Sequence, residues 1–317
     1  MPILPFRQPG LRDGLGVDAA RLMDGFSIEV MPRTAAKIAD FRPLLPQGTR
    51  IYIAHLEGTP IDDMIATARR LRDEGFAVMP HFPARIIAGP DELNHWITRY
   101  RLEADVTEAL VLAGGPKTPV GAFDSSMQLL ETGYFEEAGF ERLHIAGHPE
   151  GNRDIDPDGG TTAVDQALLW KQDYAARSGM KMAIVTQFAF DAAGVLAWER
   201  RLHAMGVTLP IHLGVAGPAK LQTLLKFAIA CGVGPSLSVL QKRARDVTKL
   251  LMPFEPDVLL ADLATGLAED RDNLIAQIHL FPLGGIEASA AFAAKARGPT
   301  DAAHDATKLT TQTERSI

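Results

Sequence analysis

Two kinds of hydrophobic pattern alternate along the chain. Short apolar runs, often β-branched, predict strands, and longer segments with apolar residues every three or four positions predict amphipathic helices. The runs fall at Phe26–Met31, Arg50–Leu56, Phe76–Met79, Ala109–Ala113, Arg142–His148, Lys181–Val185 leading into Thr186-Gln187, Pro210–Val215 and Gln277–Leu283. Most are apolar on both faces, as strands of a parallel sheet covered by helices must be. The helices carry their own start and stop signals. Thr59 supplies a capping hydroxyl, Pro60 an N1 proline, and Asp62 and Asp63 first-turn acids, with Gly75 as the stop. Gly89-Pro90-Asp91-Glu92 and Gly217-Pro218 predict further helix starts, and Asp191 predicts a cap. From Ser236 to Leu267 the chain is expected to be helical, with a break at Pro253–Pro256.

Eight strands at a spacing of roughly 30 residues, alternating with helices, predict an α/β fold: a (β/α)8 TIM barrel in a single domain. We place it at 24–293, after a loop-like lead-in (1–23) and before a tail (294–317) whose low apolar content predicts disorder. A doubly wound open sheet is the rival, but the glycine-rich dinucleotide turn expected after its first strand is missing.

Composition narrows the function classes. Of 317 residues 46% are hydrophobic and 22% charged, and the net charge of −7 without a basic cluster argues against a nucleic-acid partner. No apolar stretch reaches membrane-spanning length, and prolines and glycines before Asp18 break any signal-peptide pattern. Cys231 is the only cysteine, expected as a buried thiol, so no internal disulfide forms and a cytoplasmic address is expected.

In a barrel, functional residues collect at the carboxyl ends of the strands. Those positions here include Glu29, His55, His81, Gly114-Gly115, His148-Pro149-Glu150 and Gln187. Glu29, at the mouth end of an apolar strand, is either a partly desolvated acid with a raised pKa, suited to proton transfer, or a glutamate facing water. The Gln187 amide either recognises a flat heterocycle edge or satisfies backbone groups in the next loop. Gly114-Gly115 permits close approach of backbone to a ligand. Lys171 is either a cation aimed at a ligand phosphate or a snorkelling stem. Gly284-Gly285 opens a helix, as an anion site or simply as a turn. His55, His81 and His148 invite a metal reading, though they lack the spacing common among metal-binding barrels.

With these residues in place, the chain resembles the methylenetetrahydrofolate reductase family. Thr186-Gln187-Phe188-Ala189-Phe190-Asp191 is similar to the family's Thr-Gln-Phe-Phe-Phe-Asp, and His148-Pro149-Glu150 to its Tyr-Pro-Glu. Pro80-His81 is similar to its Pro-His, and Phe26-Ser27-Ile28-Glu29 to its Ser-Phe-Glu-Phe. The resemblance runs patchily from about Asp24 to Gly285. It implies FAD across the barrel mouth, with NADH or NADPH and a folate using the flavin in turn. It implies Glu29 as the proton donor to folate, Gln187, Phe190 and Leu221 as substrate-binding residues, and His81, Gly114, Gly115, Ser125, His148, Glu150 and Lys171 as flavin contacts.

Two departures stand out. Where the family has Arg-Gly-Asp after the fourth strand, this chain has Ala113-Gly114-Gly115, and Leu221 takes the place of a stacking Phe. The expectation is a homo-oligomeric flavoenzyme interconverting 5,10-methylene- and 5-methyltetrahydrofolate, in methyl supply or methyl oxidation. The alternatives are a metal-dependent barrel lyase or hydrolase using the strand-end histidines, and a folate-binding relative without flavin.

Overall fold

Eight parallel strands close on themselves in sequence order. They are β1 (Ser27–Val30), β2 (Arg50–Ile53), β3 (Ala77–Pro83), β4 (Glu108–Leu112), β5 (Arg142–Gly147), β6 (Lys181–Ala189), β7 (Ile211–Ala216) and β8 (Ile275–Phe281). This is a computed structural model, and it describes residues 17–230, 240–241, 253–268, 270 and 272–298. Cys231 and the expected helical stretch from Ser236 to Pro253 lie, but for 240–241 and Pro253 itself, outside the described residues. The tail beyond 298 does too.

Helices α3 (Ile61–Asp73), α4 (Pro90–Ala104), α7 (Thr162–Ser178) and α8 (Ala192–Ala204) follow β2, β3, β5 and β6, with two short helices, α5 (Ser126–Glu131) and α6 (Tyr134–Glu137), after β4. The outer layer also contains α9 (Leu221–Ala230), α10 (Asp257–Ala268) and α11 (Ile286–Arg297), while α1 (Val17–Leu22) and α2 (Pro32–Ala35) flank β1. Among the described residues no helix is long and apolar enough to cross a membrane. The main core lies between strands and helices, where Ile28, Ile51, Ile53, Val111 and Ile145 on the outward strand faces meet Met64, Leu71, Ile97 and Leu129. These positions alternate with the ones that face the barrel axis.

Several expected boundaries move. The third strand does not stop at Met79 but continues to Pro83, carrying Pro80 and His81 inside it. Pro80 is the last residue paired with β2, opposite Ile53, and His81 the first paired with β4, opposite Leu110. The missing proline N–H thus falls where one ladder hands over to the other. Val17–Leu22 in the expected lead-in is helical, and α11 runs past Ala293 to Arg297. Thr59 does not cap α3, which begins after Pro60 without a side-chain cap. Gly217-Pro218 does not start a helix, because Ala219 is extended and exchanges both backbone hydrogen bonds with Phe254, at 3.1 and 2.8 Å. Asp191 does cap α8, accepting from the backbone N–H of Ala193 and Gly194 at 3.2 Å each.

Candidate functional site

The barrel interior is lined from alternate strand positions. Tyr52, Met79, Leu110 and Val185 form its small apolar cluster, and polar groups thread around it. The Tyr52 hydroxyl lies 2.6 Å from His144 Nδ1 and 3.5 Å from His212 Nδ1. At the amino end of the strands Arg50 donates twice to Glu108, at 2.6 and 2.9 Å, and Arg142 donates once, at 3.2 Å. Burial pushes His144 well below the usual histidine range and His212 down to about 3, with Arg50 among the charges adding to both shifts. These imidazoles are therefore neutral hydrogen-bonding groups at neutral pH.

At the carboxyl end of the strands Glu29 stands between two more imidazoles. Its Oε2 is 3.3 Å from His81 Nε2 and 3.9 Å from His279 Nε2. Neither contact is a well-formed hydrogen bond, the second being too long, but both imidazoles lie close enough to act on the carboxylate. The expectation of a raised pKa for Glu29 is corrected here. Burial does oppose its charge, but the imidazoles of His279 and His81 outweigh it and hold the carboxyl down at about 2. The source of the error is on β8: His279, far away in sequence, supplies much of the effect. Glu29 is therefore a carboxylate, an acceptor and a stabiliser of nearby positive charge.

A second group lies after β5. Burial, aided by the charge of Lys171, lowers His148 to about 4, although a hydrogen bond with Gln187 opposes the shift. Its Nδ1 is buried without a hydrogen-bond partner among the described residues. Lys171, only 7% exposed, has neither ion-pair nor hydrogen-bond partner among the described residues, and burial pushes it down to about 8. Gln187 reaches His148 from an irregular stretch of β6. Between Val185 and Phe188 the strand carries one residue more than β7 does, a bulge of the sort that re-aims side chains. Thr186 stitches it, accepting from Gly214 N–H at 2.8 Å and donating to the Gln187 carbonyl at 2.7 Å. Any side chain at Gly214 would meet the Thr186 and Gln187 carbonyl oxygens at 2.5 Å.

The remaining expected site residues lie on several different elements. Gly114 has φ +95°, and a Cβ there would sit 2.9 Å from that of Pro83. A Cβ on Gly115 would meet nothing within 4 Å. Ser125 occupies the N-cap of α5, where Gln128 accepts from its backbone N–H at 3.1 Å. Glu150 is half-buried in the loop after β5. Phe190 and Leu221 are buried in a satellite cluster with Phe188, Leu224 and Phe254. Gly284 packs against the Pro218 carbonyl, and Gly285 is the N-cap of α11.

The three strand-exit histidines do not converge. His55 Nε2 lies 3.0 Å from the Thr59 carbonyl and its ring lies 4.7 Å from Trp96, whereas His81 faces Glu29. Among the described residues no group of three or more His, Cys, Asp or Glu side chains is placed to hold a metal ion. Ser27, His279 and Glu29 have the membership of an acyl-transfer triad, but Ser27 is wholly buried and no substrate reaches it. His148 Nδ1 and the Lys171 ammonium, both without a hydrogen-bond partner among the described residues, fit an anionic or acceptor-rich group such as a flavin dinucleotide.

Sequence reasoning overlooked Ser27, Tyr52, His144, His212, Gln277 and His279. The signal was present: a polar residue at alternate positions of otherwise apolar strands, as in Arg50-Ile51-Tyr52-Ile53 and Gln277-Ile278-His279.

No family model matches the chain. In structure it is similar to an uncharacterized protein from Clostridium thermocellum that binds two copies of 5-methyl-5,6,7,8-tetrahydrofolic acid. The two share 13% identity at a TM-score of 0.56, over 86% of this chain and 96% of that one. A 7,8-dihydropteroate synthase from Vibrio fischeri overlaps more loosely, with 12% identity and a TM-score of 0.43 over 93% of this chain and 96% of that one. At these identities the first likeness establishes the barrel fold, and the second carries no weight.

Proposed function

We propose that this barrel binds a reduced folate at its mouth and, with FAD, interconverts 5,10-methylene- and 5-methyltetrahydrofolate. The observation that carries the reading is the ionised Glu29 held at the mouth between His81 and His279. It lies on the strand marked by Phe26-Ser27-Ile28-Glu29. Support also comes from the structural likeness to a protein that binds 5-methyltetrahydrofolic acid.

Bound FAD would supply the hydride transfer that no side chain offers. His148 and Lys171 would hold its acceptor groups, and Gly114 and Gly115 would let it approach the backbone after β4. Gln187 offers the folate ring a donor and an acceptor. Glu29 stabilises the cationic iminium that forms when the methylene bridge opens. Its side chain is 20% exposed before ligand arrives, so a bound ring that excludes water raises its pKa and lets it carry the proton exchanged with the folate nitrogen.

The test is a visible spectrum, metal analysis and folate titration of the purified protein. The expected result is a yellow protein that releases FAD on denaturation and is bleached or reoxidised by the appropriate folate. Folate binding by a colourless protein that takes up no FAD would leave a flavin-free folate binder. Stoichiometric zinc without flavin would overturn the reading.

A further inference from the structure

Glu29 is backed by a row of buried groups that reaches across the β8–β1 seam. Ser27 Oγ lies 2.9 Å from His279 Nδ1, and Gln277 Nε2 donates to the same hydroxyl at 3.3 Å. Ser27 and Glu29 are two residues apart on β1, and Gln277 and His279 two apart on β8, so each pair shares a strand face.

The hydrogen-bond directions follow from chemistry. An amide nitrogen only donates, so the Ser27 oxygen is the acceptor from Gln277; its own proton has two acceptors in reach, His279 Nδ1 and the Tyr52 hydroxyl, and the carboxylate beyond His279 favours the first. A neutral His279 with an accepting Nδ1 carries its proton on Nε2, the atom that faces Glu29 Oε2 at 3.9 Å. The opposite tautomer would set a nitrogen lone pair against a carboxylate oxygen. Nothing else competes for that proton, since His279 Nε2 has no hydrogen-bond partner among the described residues. Ser27, His279 and Tyr52, whose ring centroid is 4.4 Å from that of His279, are all fully buried. His81 Nε2 approaches the same Oε2 at 3.3 Å.

We propose that Gln277, Ser27 and His279 form a tautomer lock that holds an imidazole N–H toward Glu29 Oε2, leaving Oε1 as the oxygen that exchanges a proton with the substrate. The three are positioning residues. When Oε1 takes a proton, one O–H bond forms as one N–H bond of the substrate breaks, and the reverse step returns it. Oε2 then becomes the carbonyl oxygen of the acid and still faces both imidazoles, so the clamp need not rearrange. No electrons change hands in this step. The catalytic role rests on the folate reading above, whereas the lock itself does not.

The test uses the full chain labelled with ¹⁵N-histidine. Ring-nitrogen NMR of the wild type should show His279 with a bare Nδ1 and a protonated Nε2, the signals being assigned by their loss in His279→Gln. Ser27→Ala removes the donor to Nδ1, and the Nδ1–H form should appear. Gln277→Leu carries the same measurement should Ser27→Ala fail to fold. A wild-type proton on Nδ1, or variants with an unchanged tautomer, overturns the lock. In folate turnover, Ser27→Ala should lower kcat about 10-fold or more, part of what positioned proton transfer supplies. KM should stay within about twofold, and Ser27→Thr should restore kcat. A switched tautomer with unchanged kcat overturns the catalytic role. Wild-type protein that binds no folate overturns the proposed function and that role with it, while the NMR result still decides the lock.

Discussion

Lys171→Met should stabilise the ligand-free protein at neutral pH. Lys171 is 7% exposed with no counter-charge among the described residues, and burial alone lowers its pKa from 10.5 to about 8. At 1.36 kcal/mol per unit, that difference is worth roughly 3 kcal/mol against the charged form in the fold. Methionine fills a similar volume without charge, so up to about this much is regained, less whatever water reaches the amine. The pH dependence supplies an internal control. Between about 8 and 10.5 the unfolded lysine keeps its proton and the folded one has released it. Wild-type stability at this site therefore rises with pH across that window, and below it the penalty is fully present. Urea titrations of both proteins from neutral to alkaline pH should show the methionine variant ahead at neutral pH and its lead closing as the window is crossed.

The same residue should respond to ligand. Inorganic pyrophosphate or FAD would give the charge its partner, stabilising the wild type by mass action, about 2.7 kcal/mol at a hundred times the dissociation constant. The methionine variant should gain much less. A variant less stable than wild type at neutral pH, or a gap that does not change with pH, would refute the claim that Lys171 is an uncompensated buried cation.

Glu29→Gln should separate the half-reactions, with flavin reduction by NAD(P)H near normal and folate turnover down roughly 10²–10⁴; equal losses in stopped-flow traces of both would recast Glu29 as structural. Gly115→Asp should be tolerated sterically, since a Cβ there meets nothing within 4 Å. One charge at ~7 Å and an effective dielectric of ~20 is worth ~2 kcal/mol, so the flavin midpoint should fall by on the order of 50 mV. A redox titration with an unchanged or raised midpoint would show that Gly115 does not face a flavin. Asp191→Ala removes the cap at the start of α8 and should cost about 1 kcal/mol in urea melts; no loss would mean solvent satisfies those N–H groups equally well.

The order of elements was legible because most strands are short apolar runs and each major helix carries a 3.6-residue stripe, patterns set by local geometry. Boundaries were less so, because they depend on partners. Proline argued for ending β3 at Met79, and only the hand-over from β2 to β4 explains why Pro80 is tolerated there. Gly217-Pro218 has the local chemistry of a helix start, yet the pairing of Ala219 with Phe254 overrides it.

The site divides along the same line. Positions at strand ends could be read in order, and that procedure singled out Glu29, His81, His148 and Gln187. It passed over His279, since a strand exit is where a ligand is met, whereas this second imidazole that sets the carboxylate's charge sits one layer below. His279 is in the middle of β8, and its effect on Glu29 depends on closure of the barrel, which places β8 beside β1 across some 250 residues: Gln277 Nε2 and Ser27 Oγ meet with a sequence separation of 250. No local spacing encodes that contact. Once the fold is accepted as a closed barrel, however, the seam is implied by topology, and alternation tells which residues of β8 face the axis. The charge state of Glu29 was therefore open to inference from the sequence, but only in two steps, first the closure and then the inward faces of the strands on either side of it.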